Sequence, residues 1–277
     1  MRIFLIFFGV LIFQMAIGQS IRVMSYNIRF DNPADGGNAW PNRSTKVTRI
    51  IQKYDPDFIG IQEALYHQLQ DLKNVLPGYS FVGLGRDDGL NKGEYSAIFY
   101  KHSRFGMMAS STFWLSETPE TPGSKSWDAA ITRIATWARF FDKKSHSELF
   151  FLNTHFDHIG KEARTKSAIL IKSKLIELSQ GNPIIVTGDF NCTPDEIPYH
   201  EMIIESDSTL FDASKGNTAG TYCGFEVGSS ECTTIDYIFH SKEWSVTRYQ
   251  VLNDNNGKYY PSDHLPVLAE LELTPKN

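Results

Sequence analysis

The stretch Ile184-Ile185-Val186-Thr187-Gly188-Asp189-Phe190-Asn191 reads as a hydrophobic strand that ends by presenting two polar side chains. On an extended backbone residues i and i+2 point the same way, so Asp189 and Asn191 share a face. Gly188 removes a side chain where the strand must leave room for something to approach. A carboxylate beside a carboxamide suits a proton acceptor for an attacking water and a donor to an anion. A lone Asp-x-Asn is commonly an Asx-type turn. The chemistry therefore depends on whether other polar clusters share this strand-end placement.

Working outward, strands and helices interleave along the whole chain. Residues 21–26 read as a strand, followed by a loop rich in Gly, Asn and Asp over 31–38. Val47, Ile50, Ile51 and Tyr54 recur at helical spacing until Pro56. Residues 58–61 form a buried strand, and Leu65, Leu69, Leu72 and Leu76 stripe a second helix. Short strands follow at 95–100, 112–115, 134–141 and 149–154. Ala168, Ile171, Leu175 and Leu178 mark an amphipathic helix, ended by Gly181-Asn182-Pro183. The last third is mostly strand, at 220–225, 233–239, 244–252 and 266–273. This is too strand-rich for a doubly wound parallel sheet. The expected class is α+β, an α/β sandwich of four layers: two mixed sheets packed face to face, flanked by helices.

The first 18 residues read as a leader. Met1-Arg2 precedes an apolar run over 3–17, and Ala16 and Gly18 stand at the −3 and −1 positions before Gln19. The run is too short for a spanning helix, which takes about 20 residues. No Cys follows the cleavage point, so no lipid anchor is expected. The mature chain is then 19–277, a single domain, secreted or periplasmic. It retains 26 basic against 32 acidic residues. A protein gripping duplex nucleic acid by its phosphates carries a basic excess, so the charge does not favour that partner. Three Cys are present: Cys223 and Cys232 bracket a turn-rich segment and suit a disulfide in an exported chain, whereas Cys192 reads as a packed thiol.

The other polar groups fall at strand ends too. Asn27 ends the first strand, Glu63 follows the buried run 58–62, and His155 ends 149–154. Asp236 lies inside an apolar strand, where a charge needs a strong partner. Asp263-His264 precedes the final strand. Each alone has an ordinary structural explanation. Together, Asn27, Glu63, His155, Asp189, Asn191, Asp236, Asp263 and His264 make an oxygen-rich set without Cys, suited to Mg2+ or Mn2+ rather than structural zinc. The remaining Asp and His residues can activate water and stabilise the leaving side, as phosphate-ester hydrolysis requires.

Six segments, Ser25-Tyr26-Asn27, Ile61-Gln62-Glu63, Asn153-Thr154-His155, Gly188-Asp189-Phe190-Asn191, Ile235-Asp236-Tyr237 and Ser262-Asp263-His264, resemble in order the motifs of the endonuclease/exonuclease/phosphatase superfamily, the deoxyribonuclease-I-like fold. The resemblance covers about 21–273. It implies Glu63 as the principal metal carboxylate, assisted by Asn27, with Asp263 as an outer or second-metal ligand. It implies an Asp236–His264 dyad at the phosphorus, Asp189 positioning or deprotonating water, Asn191 on a phosphate oxygen, and His155 donating to the developing charge. Whether Asp189 or His264 is the base stays open. Some abasic-site nucleases of the superfamily carry an acidic residue two positions after the first Asn. Arg29 stands there in this chain, which argues against that branch. Trp40-Pro41-Asn42-Arg43, Phe113-Trp114-Leu115-Ser116 and 134–139 resemble an exported bacterial subgroup.

Residues 116–128 form a long Pro/Gly/Ser-rich loop, of a kind that is often functional. It is expected to wall the cleft, with Trp114 against the substrate body and Arg133 or Arg139 on its phosphate. Arg139 and Trp137 share a strand face, so both belong to the cleft or both to the core. The leading expectation is a monomeric, exported, metal-dependent phosphoesterase acting on a phosphodiester, either a nuclease or a small-molecule or lipid-headgroup phosphodiesterase. The alternatives are a phosphomonoesterase of sugar or inositol phosphates and a catalytically silent binding module.

Overall fold

The computed structural model describes residues 20–204 and 209–274; the expected leader lies outside them. In chain order the elements are β1 (Ser20–Asn27), α1 (Trp40–Tyr54), β2 (Phe58–Gln62), α2 (Tyr66–Val75), β3 (Tyr79–Val82), β4 (Ser96–Lys101), β5 (Phe105–Trp114), β6 (Ile134–Asp142), β7 (Ser147–His155), α3 (Lys161–Ser179), β8 (Ile184–Asp189), α4 (Ile197–Ile203), β9 (Phe211–Asp212), β10 (Asp236–His240), β11 (Trp244–Val251) and β12 (Val267–Leu273). They build two six-stranded sheets, ordered β11-β12-β1-β2-β4-β3 and β5-β6-β7-β8-β10-β9.

The two sheets share one pattern. In each, a central parallel pair, β1–β2 or β7–β8, is flanked by antiparallel neighbours. Parallel strands need a crossover, and α1 and α3 supply one apiece. Both α1 and α3 stop at a residue in the left-handed region, Asp55 and Gln180. Pro56 and Gly181-Asn182-Pro183 follow, as the sequence implied. The parallel pairing brings the C-terminal ends of β1 and β2 together, and likewise those of β7 and β8.

Three apolar layers give the four-layer sandwich. Between the sheets lie Val23, Phe58, Ile98, Phe140, Phe151, Ile185 and Ile238. Outside the first sheet, Val47, Ile51, Leu69 and Leu72 of α1 and α2 pack on Met24, Ile59 and Phe99. Outside the second, Ile171, Leu175 and Met202 of α3 and α4 pack on Phe150, Val186 and Phe239.

Near the site end, the inter-sheet layer turns polar. Asn153 of β7 donates to Ile61 O and Ala97 O at 2.9 Å each, and its Oδ1 accepts from Gln62 at 2.6 Å and Thr187 at 3.0 Å. The chain meets this cluster at Gly60, where a Cβ would stand 2.0 Å from Thr187 Oγ1 and 2.5 Å from Asn153 Oδ1. Gly188 is also a close approach, but to the Thr154 carbonyl and the Phe190 ring rather than to a substrate.

The strand expected at 220–225 is absent. That segment makes isolated bridges from Tyr222 to Thr233 and His264, the next residue Glu226 bridges to Tyr259, and the Cys223–Cys232 disulfide closes the loop. Cys192 is buried and free, as expected for a packed thiol.

Candidate active site

Strand direction assembles the site. Asn27 and Glu63 stand at the ends of β1 and β2, and His155 and Asp189 at the ends of β7 and β8. β10 runs antiparallel to β8, so its first residue, Asp236, pairs directly with Asp189. Asp263 and His264 arrive on the turn before β12.

Asn27 sits at the centre. Its Nδ2 donates to Glu63 Oε1 at 3.0 Å and to Asp189 Oδ2 at 2.9 Å, and its Oδ1 accepts from Arg29 N at 2.9 Å. Glu63 Oε2 accepts from Phe30 N at 3.2 Å. Arg29, Glu63 and Asn191 all have positive φ (56°, 65° and 48°) without being glycine. Such strain persists where surrounding bonds over-determine it, and it clusters at functional sites.

His264 Nδ1 lies 2.9 Å from Asp236 Oδ2, and its Nε2 lies 3.7 Å from Asp189 Oδ2. Burial works against a charge on His264, but Asp236, Asp189 and Asp263 outweigh it and hold the imidazole well above its usual pKa. His155 Nε2 lies 3.2 Å from Asp189 Oδ2 and 3.0 Å from Asn191 Nδ2. Burial, then Arg133 and Arg86, push His155 well below its usual value, so this ring is neutral. Burial and the Asp236 charge lift Asp189 to about 7. Glu63 stays low despite burial because His264, Asn27 and Arg29 favour its carboxylate.

Glu63, His155 and Asp189 present ligand atoms within 4.8 Å of one another, as do Asp189, Asp236 and His264. The Asp236–His264 pair engages the second set internally. The first set, with Asn27 beside it, offers mainly hard oxygen donors amid crowded carboxylates, and this suits a divalent cation of the Mg2+ or Mn2+ kind. Asp263 belongs to neither set. Its Oδ1 accepts from Ser262 at 3.3 Å, and its Oδ2 lies 3.9 Å from Arg29 Nη1.

These groups open into a cleft of about 340 Å³, also lined by Arg29, Phe30, Glu94, Ile131, Arg133, His158, Tyr222 and Ile235. Arg133 lines this cleft. Two expectations are corrected. Trp114 is 3% exposed, its indole donates to Arg86 O at 2.7 Å, and its ring underlies Gly89 and not a substrate. Its large apolar ring is more stable buttressing the loop 85–94 than standing in water. Arg139 bonds Gln180 at the end of α3 and does not line the cleft. Its face-mate Trp137 stacks on Phe150 in the helix-covered layer, so the shared face belongs to the core side. Glu94 and Tyr222 escaped the sequence reading because they lie in irregular segments, where no periodicity distinguishes a working residue. His158 stood beside His155 in the sequence without a role.

The description "Endonuclease/Exonuclease/phosphatase family" matches residues 24–264. A solved structure of Bacteroides thetaiotaomicron mannosyl-6-phosphatase is 40% identical, covering 91% of this chain and 99% of that one, with a TM-score of 0.85. An endonuclease/exonuclease/phosphatase from Bacteroides vulgatus is 39% identical over 92% and 99% of the two chains, with a TM-score of 0.86. Among curated relatives, an uncharacterized protein of Acanthamoeba polyphaga mimivirus is 30% identical over 209 residues, 62% of this chain. The chain spans 30% of that protein's length and 59% of Drosophila melanogaster Protein angel. The match over 24–264 and the assembled strand-end cluster agree: the chain belongs to the endonuclease/exonuclease/phosphatase family.

Proposed function

We propose that this chain is an exported, divalent-cation-dependent phosphoester hydrolase whose substrate is a phosphomonoester of a small molecule. The observation that carries the reading is the meeting of the Asp236–His264 pair, Asp189 and Glu63 in one cleft. The walled, 340 Å³ cleft suits a small body, near the lower end of the usual range for ligand pockets. The 40% identity to a mannosyl-6-phosphatase supports a monoester over the diester that the sequence put first. Export rests on the leader pattern of residues 1–18.

Glu63, with Asn27 beside it, would hold the cation; when bound, it polarises a phosphoryl oxygen. Asp236 fixes the His264 ring through Nδ1 and leaves Nε2 facing the reacting group. The imidazolium donates to the phosphoryl charge as it develops. Asp189 Oδ2, between His155 and His264, is the acceptor placed to take a proton from an attacking water. Neutral His155 and the Asn191 amide border the same space.

Turnover of p-nitrophenyl phosphate and bis(p-nitrophenyl) phosphate, each with Mg2+ and with EDTA, tests the proposal. Faster, EDTA-sensitive monoester cleavage is expected. Faster diester cleavage returns the diester reading, and no turnover of either overturns the enzyme assignment.

A further inference from the structure

The cleft holds a second polar group, bonded within itself. Arg86 Nη1 donates to Glu94 Oε2 at 2.6 Å, and Arg133 Nη1 lies 3.9 Å from the same oxygen. Arg133 Nη2 lies 3.3 Å from His158 Nδ1. Unlike Glu63 and Asp189, Glu94 belongs to neither candidate cation-binding set, and two guanidiniums offset its charge. Both guanidiniums address Oε2, and Oε1 has no protein donor among the described residues. His158 Nδ1 faces a guanidinium donor and is therefore the acceptor nitrogen, which leaves Nε2–H to donate. His158 itself is exposed at the cleft.

An acceptor and a donor flanking one guanidinium in the same cleft match the hydroxyls of a polyol, each of which both gives and takes a hydrogen bond. They do not match a second phosphate, which has no proton to offer Oε1, while Glu94 already engages the Arg86 and Arg133 guanidiniums that would otherwise bind it. We propose that Glu94, His158 and Arg133 form a hydroxyl-reading subsite that selects a neutral polyol carrying a single phosphate, and that Glu94 excludes a second phosphate. This rests on the phosphomonoester reading above. A hexose and a cyclitol offer the same adjacent hydroxyls, so both belong to the class. Trp114 acts at one remove, by holding Arg86 O and hence the loop that ends in Glu94.

The test measures kcat/KM with Mg2+ for mannose 6-phosphate, inositol 1-phosphate, fructose 1,6-bisphosphate and p-nitrophenyl phosphate, in the wild type, Glu94→Gln and His158→Ala. Wild type should favour one of the polyol monophosphates over the bisphosphate at least 10-fold; which one distinguishes hexose from cyclitol. Glu94→Gln should lower the ratio of polyol phosphate to p-nitrophenyl phosphate about 10-fold and narrow the discrimination against the bisphosphate. His158→Ala, at an exposed turn, should lower the same ratio about 3-fold or more, and carries the test if Glu94→Gln does not fold. Unchanged ratios in the folded variants overturn the subsite, as does a wild type that treats monophosphates and bisphosphate alike. A wild type that turns over p-nitrophenyl phosphate without polyol preference overturns the subsite alone. One that turns over nothing overturns the phosphatase reading and the subsite with it.

Discussion

Asp236 is 1% exposed, and among the described residues its Oδ1 has no hydrogen-bond partner while its Oδ2 meets the His264 ring. An amide in its place can still meet Nδ1, but it removes the charge that keeps the ring cationic and the preference for one ring orientation. Asp236→Asn is therefore expected to lower kcat for the monoester by about 10²-fold or more, with KM changed far less and the far-ultraviolet circular dichroism unaltered. A kcat within a few-fold of wild type would remove the dyad from the mechanism. Glu63 differs, because its carboxylate reaches toward the proposed cation. Glu63→Gln should weaken Mn2+ binding by calorimetry about 10-fold or more, a readout independent of turnover. Unchanged Mn2+ affinity would place the cation elsewhere.

At the scale of the elements, Asp157 holds two segments together. Its Oδ2 accepts from Ala130 N and Ile131 N, and its Oδ1 from Ile159 N and Gly160 N, at 2.7–3.1 Å. One carboxylate so fastens the cleft residue Ile131 to the start of α3. Burial raises its pKa, but the four backbone bonds prevail and the folded value lies below the ordinary one. A depressed folded pKa gives stability that is complete above the unfolded value, about 3.9, and is lost as pH falls through the folded value. Asp157→Asn should therefore cost about 3 kcal/mol near neutrality, with the difference from wild type shrinking below about pH 4. Urea midpoints measured across pH check this, and a pH-independent difference would refute it. The clamp was not legible in the sequence, because nothing local distinguishes an Asp bonded across 27 residues from one in a solvated turn. Helices α1, α2 and α3 were legible, since an apolar stripe 10–19 residues long is hard to imitate. The four-residue β3 and two-residue β9 were missed because such short segments have no period to read. The supposed strand over 220–225 failed for a related reason. It is a disulfide-closed loop that, among the described residues, meets β-structure at single bridges.

For the whole molecule, the two-sheet class and the eight strand-end residues could be read in advance because both depend on pattern and order along the chain. The way the sheets lock together could not, since Gly60, Asn153 and Thr187 are far apart in sequence and meet only through packing. Gly60→Ala should cost about 3 kcal/mol or more, because the backbone and a buried polar cluster must both move. A denaturation midpoint within error of wild type would show that the sheets are free to separate there. The topology also has a consequence in time. β12 pairs along the length of β1, with Ser20 opposite Glu272 and Ser25 opposite Val267. This partner of β1 is thus synthesised after every other described strand of the two sheets, and His264 arrives just ahead of it. Until those residues emerge, a nascent chain has Glu63 and Asp189 but neither a closed first sheet nor the imidazole that completes the dyad. If the proposed hydrolysis holds, a chain interrupted before His264 would therefore be inert toward phosphate esters.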